Sequence, residues 1–231
     1  MKRHNKARTA LELSAVIILA SAILGACAEN VQKQKIPAAT YMGGKASITE
    51  ICKELDAAGA SHVDLFQEWV TDFADSAGKN ARLEDAWSDP TKMKADIVKC
   101  MDGWEQNHDD SDADCRMTAF LLLDGMLCSE STEGNYAGTY LMFDTEAIDN
   151  VDRYEIIKKN RDMFTTLYGE KRVTEGSSPE TVFSDSWKYH GFQINSDRIS
   201  LLSIVIYDPY SEVVFVGHTG IAAQKSEAKR S

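Results

Sequence analysis

Apolar positions recur at helical spacing through most of the chain and cluster as strands only near its end. Ser47-Ile48-Thr49-Glu50 is a capping-box pattern that predicts a helix to about Ala58, with Gly59 as its stop. Ser61 caps a second predicted helix to about Phe73, on which Val63, Phe66, Trp69, Val70 and Phe73 share a face. Asp89-Pro90 predicts a third, with Met93, Ile97, Cys100, Met101 and Trp104 along one side. An acidic loop then leads to Asp114, the N-cap of a helix predicted from Cys115 to about Cys128. The run Ala119 to Leu123 leaves that helix little polar face, so it should be buried on most sides. Thr139 to Phe143 reads as a short strand, and Val151 to Tyr168 and Pro179 to Tyr189 as amphipathic helices stopped by Gly169 and Gly191. Ile199 to Tyr207, the turn at Asp208-Pro209 and Val213 to Gly217 read as a hairpin. Helices first and strands last give an α+β class: N-terminal helices and a buried central helix packed on a C-terminal antiparallel sheet.

The N-terminus belongs to a different pattern. Lys2, Arg3, Lys6 and Arg8 precede an apolar run from Leu13 to Leu24, too short to span a bilayer and typical of a signal peptide. Leu24-Gly25-Ala26-Cys27 matches the lipobox of bacterial lipoproteins, which predicts cleavage before Cys27 and lipid on its sulfur. The expected organisation is a signal peptide over 1–26, a lipidated tether over 27–46, and one α+β domain over 47–231. The expected location is the cell membrane, lipid-anchored on its extracytoplasmic face.

Charge sharpens this picture. The chain carries a net −11, and because its leader is basic the remainder is more acidic still. Nucleic acid is therefore not an expected partner. Cys52, Cys100, Cys115 and Cys128 remain after the leader, too few for a disulfide scaffold. Cys52 and Cys100 read as buried thiols or one bridge, Cys115 and Cys128 are too far apart on a continuous helix to be bridged, and Cys115 reads as a small buried cysteine or a nucleophile. No zinc spacing and no phosphate-binding glycine loop occurs, and the alternating Asp110, Asp112 and Asp114 fail as a calcium loop because Cys115 and Leu121 stand where glycine and glutamate are needed. No cofactor is expected.

Two residues carry candidate chemistry. A thiol at a helix N-terminus, as at Cys115, is favoured as a thiolate by free N–H groups and the macrodipole. His218 lies between Gly217 and Gly220 in an apolar strand, the one histidine in such a context, whereas His62, His108 and His190 read as surface residues. Together Cys115 and His218 form a candidate nucleophile and general base. Arg116 is a cation close enough in sequence to support the thiolate, against the aspartates upstream. Trp69, Trp104 and Trp187 sit at helical spacing and read as core, with Trp104 and Trp187 placed to line a cleft.

The blocks Trp69-Val70-Thr71-Asp72-Phe73, Cys115-Arg116-Met117-Thr118-Ala119-Phe120-Leu121-Leu122, Leu141-Met142-Phe143-Asp144, and Ile199 to Ser203 through Val214 to Gly220 carry a family likeness. On them the chain resembles the bacterial lipoproteins catalogued as domain of unknown function 4300, which implies grouping without an activity. The order of Cys115 and His218 also resembles papain-like cysteine peptidases and amidases, including cell-wall hydrolases. That resemblance implies Cys115 as nucleophile, His218 as base, and a further strand supplying a residue that orients the imidazole. Relative to it the chain looks C-terminally shortened. Two functions are expected: a membrane-anchored cysteine hydrolase cutting an amide bond in peptidoglycan or a peptide, or a non-catalytic lipoprotein whose cleft binds a ligand or an envelope protein.

Overall fold

The computed structural model describes residues 45–77, 96–106, 108–109, 111–134 and 138–225. The signal peptide, Cys27, nearly all of the tether and the Asp89-Pro90 helix start lie outside the described residues. The fold is α+β, with helices α1 (Lys45–Ala58), α2 (Val63–Ala77), α3 (Ile97–Trp104) and α4 (Cys115–Leu122) coming first. They are followed by α5 (Met142–Asn150), α6 (Glu155–Lys159), α7 (Arg161–Tyr168) and α8 (Pro179–Tyr189). Strands β1 (Leu127–Cys128) and β3 (Gln193–Ile194) pair as a small antiparallel sheet. Strands β2 (Lys171–Arg172), β4 (Ile199–Asp208) and β5 (Val213–Ala223) form a second one in the order β2-β5-β4.

Three predicted elements differ from those observed. The central helix ends at Leu122, where the chain turns through Gly125 at φ +75° and enters β1, so Cys128 lies on a strand opposite Gln193. Only a residue without Cβ takes that left-handed backbone at little cost. Thr139–Leu141 is a 3₁₀ turn leading into α5, not a strand. Its apolar run lacks two-residue alternation: Leu141 is fully buried while Met142 and Phe143 are exposed. The long helix expected over Val151–Tyr168 is a 3₁₀ turn at Asp152–Tyr154 and then α6 and α7, joined at Asn160. Those breaks bend the chain so that Tyr154, Ile157, Phe164 and Leu167 all enter one core.

Helix α4 is the centre of the packing, as its apolar sequence predicts. Met117, Phe120 and Leu123 face a large core with Leu141, Ile148, Phe164 and Tyr168, while Leu122 joins Ile48, Cys52, Leu55 and Phe66 of α1 and α2. Phe120, Phe164 and Tyr168 meet edge to face, Phe120–Phe164 at 5.3 Å and Phe164–Tyr168 at 5.1 Å between ring centroids. This arrangement matches the quadrupole of one ring to the edge of the next. All four cysteines among the described residues are free, with Cys52 and Cys100 buried.

The β4–β5 hairpin carries the feature that decides the site. Ile204 pairs with His218 and Val205 with Val216, leaving Gly217 as an extra residue in β5. Such a bulge switches which residues of a strand face which side. Before it Val214 and Val216 are buried against the helices; after it Ile221 and Ala223, two and four residues beyond Thr219, pack on the core. A Cβ at Gly217 would stand 2.3 Å from Ile206 Cδ1, so the bulge position has no room for a side chain as the chains lie. The opposite face of the hairpin shows Leu202 and Ile204 to solvent, 61% and 55% exposed.

His190, expected at the surface, is 2% exposed. It is the C-cap of α8, and its ring is held by Ser131 Oγ at Nδ1 (3.1 Å) and Glu133 Oε1 at Nε2 (3.1 Å). Lys171 Nζ donates to Glu133 Oε2 at 3.0 Å. Burial works to raise the Glu133 pKa, but the bonds from Lys171 and His190 outweigh it and hold the carboxyl below its ordinary range. A turn-end histidine reads as exposed because sequence shows its neighbours along the chain, not the loop 129–134 folded over it.

Candidate functional site: a cleft at the start of the central helix

Asp114 caps α4 as predicted, its Oδ1 accepting from the N–H groups of Arg116 and Met117 at 2.9 Å each. This fixes Cys115 in the first turn, half-buried, with the Thr219 N–H directed at its sulfur. Next to it Arg116 makes the dominant polar contacts of the site. Its Nε and Nη2 donate to the two oxygens of Asp144 at 2.8 and 2.7 Å, and Nη1 donates to the Val216 carbonyl at 3.0 Å. Nη2 also lies 2.9 Å from Asp114 Oδ2. The Asp144 side chain is 3% exposed and that of Arg116 16%. Two-pronged pairing of this kind is the geometry in which guanidinium and carboxylate bind most strongly.

These groups form the floor of a cavity of about 770 Å³. Its walls come from Ile51 and Leu55 of α1, Phe66, Trp69, Val70 and Phe73 of α2, and Met101 and Trp104 of α3. Thr219, Gly220 and Ile221 of β5 close one side. Trp104 stacks on His108 at 3.5 Å, and Trp69 meets Tyr154 edge-on at 5.7 Å. Trp69, read from sequence as core, lines the cleft, and so does Trp104, which its placement allowed. Trp187 packs partly buried against the main core and lines a separate pocket with Phe183 and Leu201.

The pairing of Cys115 with His218 expected from sequence is not seen among the described residues. Burial, then the charge of Asp114, push the Cys115 thiol above its ordinary pKa; the Thr219 N–H and Arg116 only partly offset them. The cap is the physical reason: Asp114 engages the helix N–H groups that would have favoured a thiolate and adds a negative charge beside it. His218 does not meet Cys115. Its side chain is exposed, it pairs with Ile204 on the outer face, and it is absent from the cavity wall. The extra residue at Gly217 turns His218 outward and Thr219 inward, so the neighbour of the predicted base faces the sulfur. Tyr168 supplies no substitute: burial lifts its phenol far above the usual range, and its hydroxyl, although next to Thr219, has no hydrogen-bond partner of good geometry.

What sequence reasoning missed is the Arg116–Asp144 pair. A lone arginine in Cys115–Leu123 and a lone aspartate after Tyr140-Leu141-Met142-Phe143 are charges set in apolar runs, which rarely stay buried unpaired. That signal was available, although not the identity of the partner. Asp144 is itself unusual: burial, then the Asp114 carboxylate, raise its pKa to about 7 despite Arg116. Asp144 therefore holds its proton toward neutrality.

The family profile described as Domain of unknown function (DUF4300) matches residues 39–229. The chain belongs to this family. No curated protein and no solved structure matches it. Three of the sequence blocks that carry the DUF4300 likeness meet at Arg116, which binds Asp144 from the third and Val216 from the last. Among the described residues no group of three or more His, Cys, Asp or Glu is arranged to hold a metal ion.

Two predictions follow from these electrostatics. Folded Asp144 keeps its proton between its ordinary value of 3.8 and about 7, where the unfolded chain releases it. Its contribution to stability is therefore greatest at the acidic end and declines as pH rises through that window. Urea unfolding of the wild type and Asp144→Asn across this range should show the decline in the difference between the two; a flat difference would contradict it. Second, iodoacetamide should alkylate Cys115 at neutral pH about tenfold more slowly than free cysteine, accelerating only under alkaline conditions. Peptide mass spectrometry reads the site, and labelling faster than free cysteine would mark a thiolate instead.

Proposed function

We propose that this chain is a lipid-anchored protein of the cell envelope that holds an apolar ligand in the α1–α2–α4 cleft without covalent chemistry. The cleft carries the reading. Its volume falls in the range of small-molecule sites, its walls are aromatic and aliphatic, and a few polar groups converge at one end. The thiol beside that end is held protonated, and the imidazole expected to activate it is on the other face of the sheet. An amidase or peptidase working here would need a base other than His218. The lipobox at Cys27 supports anchoring, and no helix among the described residues is long and apolar enough to cross a membrane.

The ligand reading is tested with Nile red, a neutral dye that brightens in apolar sites. The folded protein should bind it at one site, Cys115→Ala should leave affinity unchanged, and Trp69→Ala should weaken it by about tenfold, the loss of a large apolar contact. Absence of binding, or loss on removing the thiol, would refute the reading. For the anchor, Cys27→Ser should leave an unprocessed precursor lacking lipid; a lipid-bearing mature chain in that variant would refute it.

A further inference from the structure

We propose that the ligand of this cleft is an organic ammonium ion with an apolar body, an alkyl- or arylamine or its quaternary form. The inference rests on the cleft being a binding site and adds the sign of the ligand's charge. Among the described residues Asp72, Asp109, Asp112 and Asp114 line the cavity with Asp144, whose carboxyl keeps its proton toward neutrality, against the guanidiniums of Arg116 and Arg153, while the His108 imidazole is bonded to Asp72. Neither guanidinium is free for an anion. Arg116 is held by Asp114, Asp144 and the Val216 carbonyl, and Arg153 is paired with Asp112 while lying 4.9 Å over the Tyr154 ring.

The remaining carboxylates face the opening. Asp72, its side chain 54% exposed, has His108 as its partner at 3.1 Å. Asp109 accepts from the backbone and hydroxyl of Ser111 at 2.8 and 2.6 Å, bonds that hold its carboxyl ionised and below its ordinary range. Both stand at the rim of a wall that includes Trp69, Phe73 and Trp104. Carboxylates at the mouth of an apolar cleft focus a negative potential into it, and aromatic faces attract ammonium groups through their quadrupoles. An anionic ligand would enter against that potential with no unengaged cation to meet. A neutral ligand would gain the walls alone.

The experiment uses three probes of the same ring system, naphthylmethylammonium, naphthylmethanol and naphthoate, each displacing Nile red from the folded wild-type protein. Displacement confines the readout to the cleft and excludes ammonium ions gathered elsewhere on an acidic surface. The ammonium should displace at about tenfold lower concentration than the alcohol, with the carboxylate weakest. That advantage should shrink as salt rises to about 1 M, where charge is screened within about 3 Å. In Asp72→Asn/Asp109→Asn, with folding verified by circular dichroism, the ammonium should fall toward the alcohol while the alcohol is unchanged. Equal potency of ammonium and alcohol in the wild type, or a preference for the carboxylate, would overturn the ligand class and leave the cleft reading standing. Failure of Nile red itself to bind would remove both.

Discussion

One guanidinium organises the polar interior of this protein. Arg116 projects from the first turn of the central helix and is held by its own helix cap, by Asp144 of α5 and by the Val216 carbonyl of β5. Three separate elements therefore share a single buried cation. Such an arrangement is unforgiving because each partner left alone would keep a desolvated charge or an unmet acceptor. The apolar core supplies the driving force for folding, but this cluster fixes where the start of α4 lies against the hairpin. The geometry of the cleft floor depends on that placement.

The sequence showed the elements better than their junctions. The capping pattern at Asp114, the burial of Ala119–Leu123 and the α8 boundaries were legible because local chemistry specifies them. The end of α4 at Leu122 was not, since Leu121-Leu122-Leu123 continues without a polar break and only Gly125 hints at the turn. The site failed at one residue. A strand pattern read from Val213 onward predicts which side chains face inward only while pairing stays regular, and Gly217 interrupts it. A glycine within a strand is compatible with a bulge or with close approach of a ligand. Here it is a bulge, and it is Thr219 and not His218 that lines the cavity. Arg116 and Asp144 show the reverse case, two charges visible in apolar runs whose pairing depends on a fold that sequence spacing does not reveal.

The cleft and its floor work in different ways. At the floor the Arg116 cation is held by Asp114, Asp144 and Val216, and burial keeps the neighbouring Cys115 thiol above its ordinary pKa. The walls are open and apolar, and they come from α1, α2 and α3, with β5 closing one side. A pocket built in this way can vary its selectivity along the α2–α3 wall while the buried cluster stays intact. Such a separation lets the walls change without threatening the buried cluster on which stability depends.

The span between Arg116 and the carbonyl it bonds has a kinetic meaning. The two residues are 100 positions apart, and β5 is the last strand of the described chain. During synthesis the helical half would emerge with its central cation lacking its final acceptor and with α4 lacking the sheet that covers it. Contacts so distant along the chain slow folding, because the loop between them must close before they form. The cover of α4 and the last acceptor of Arg116 are thus supplied by the β4–β5 hairpin, the latest element of the described chain to be made.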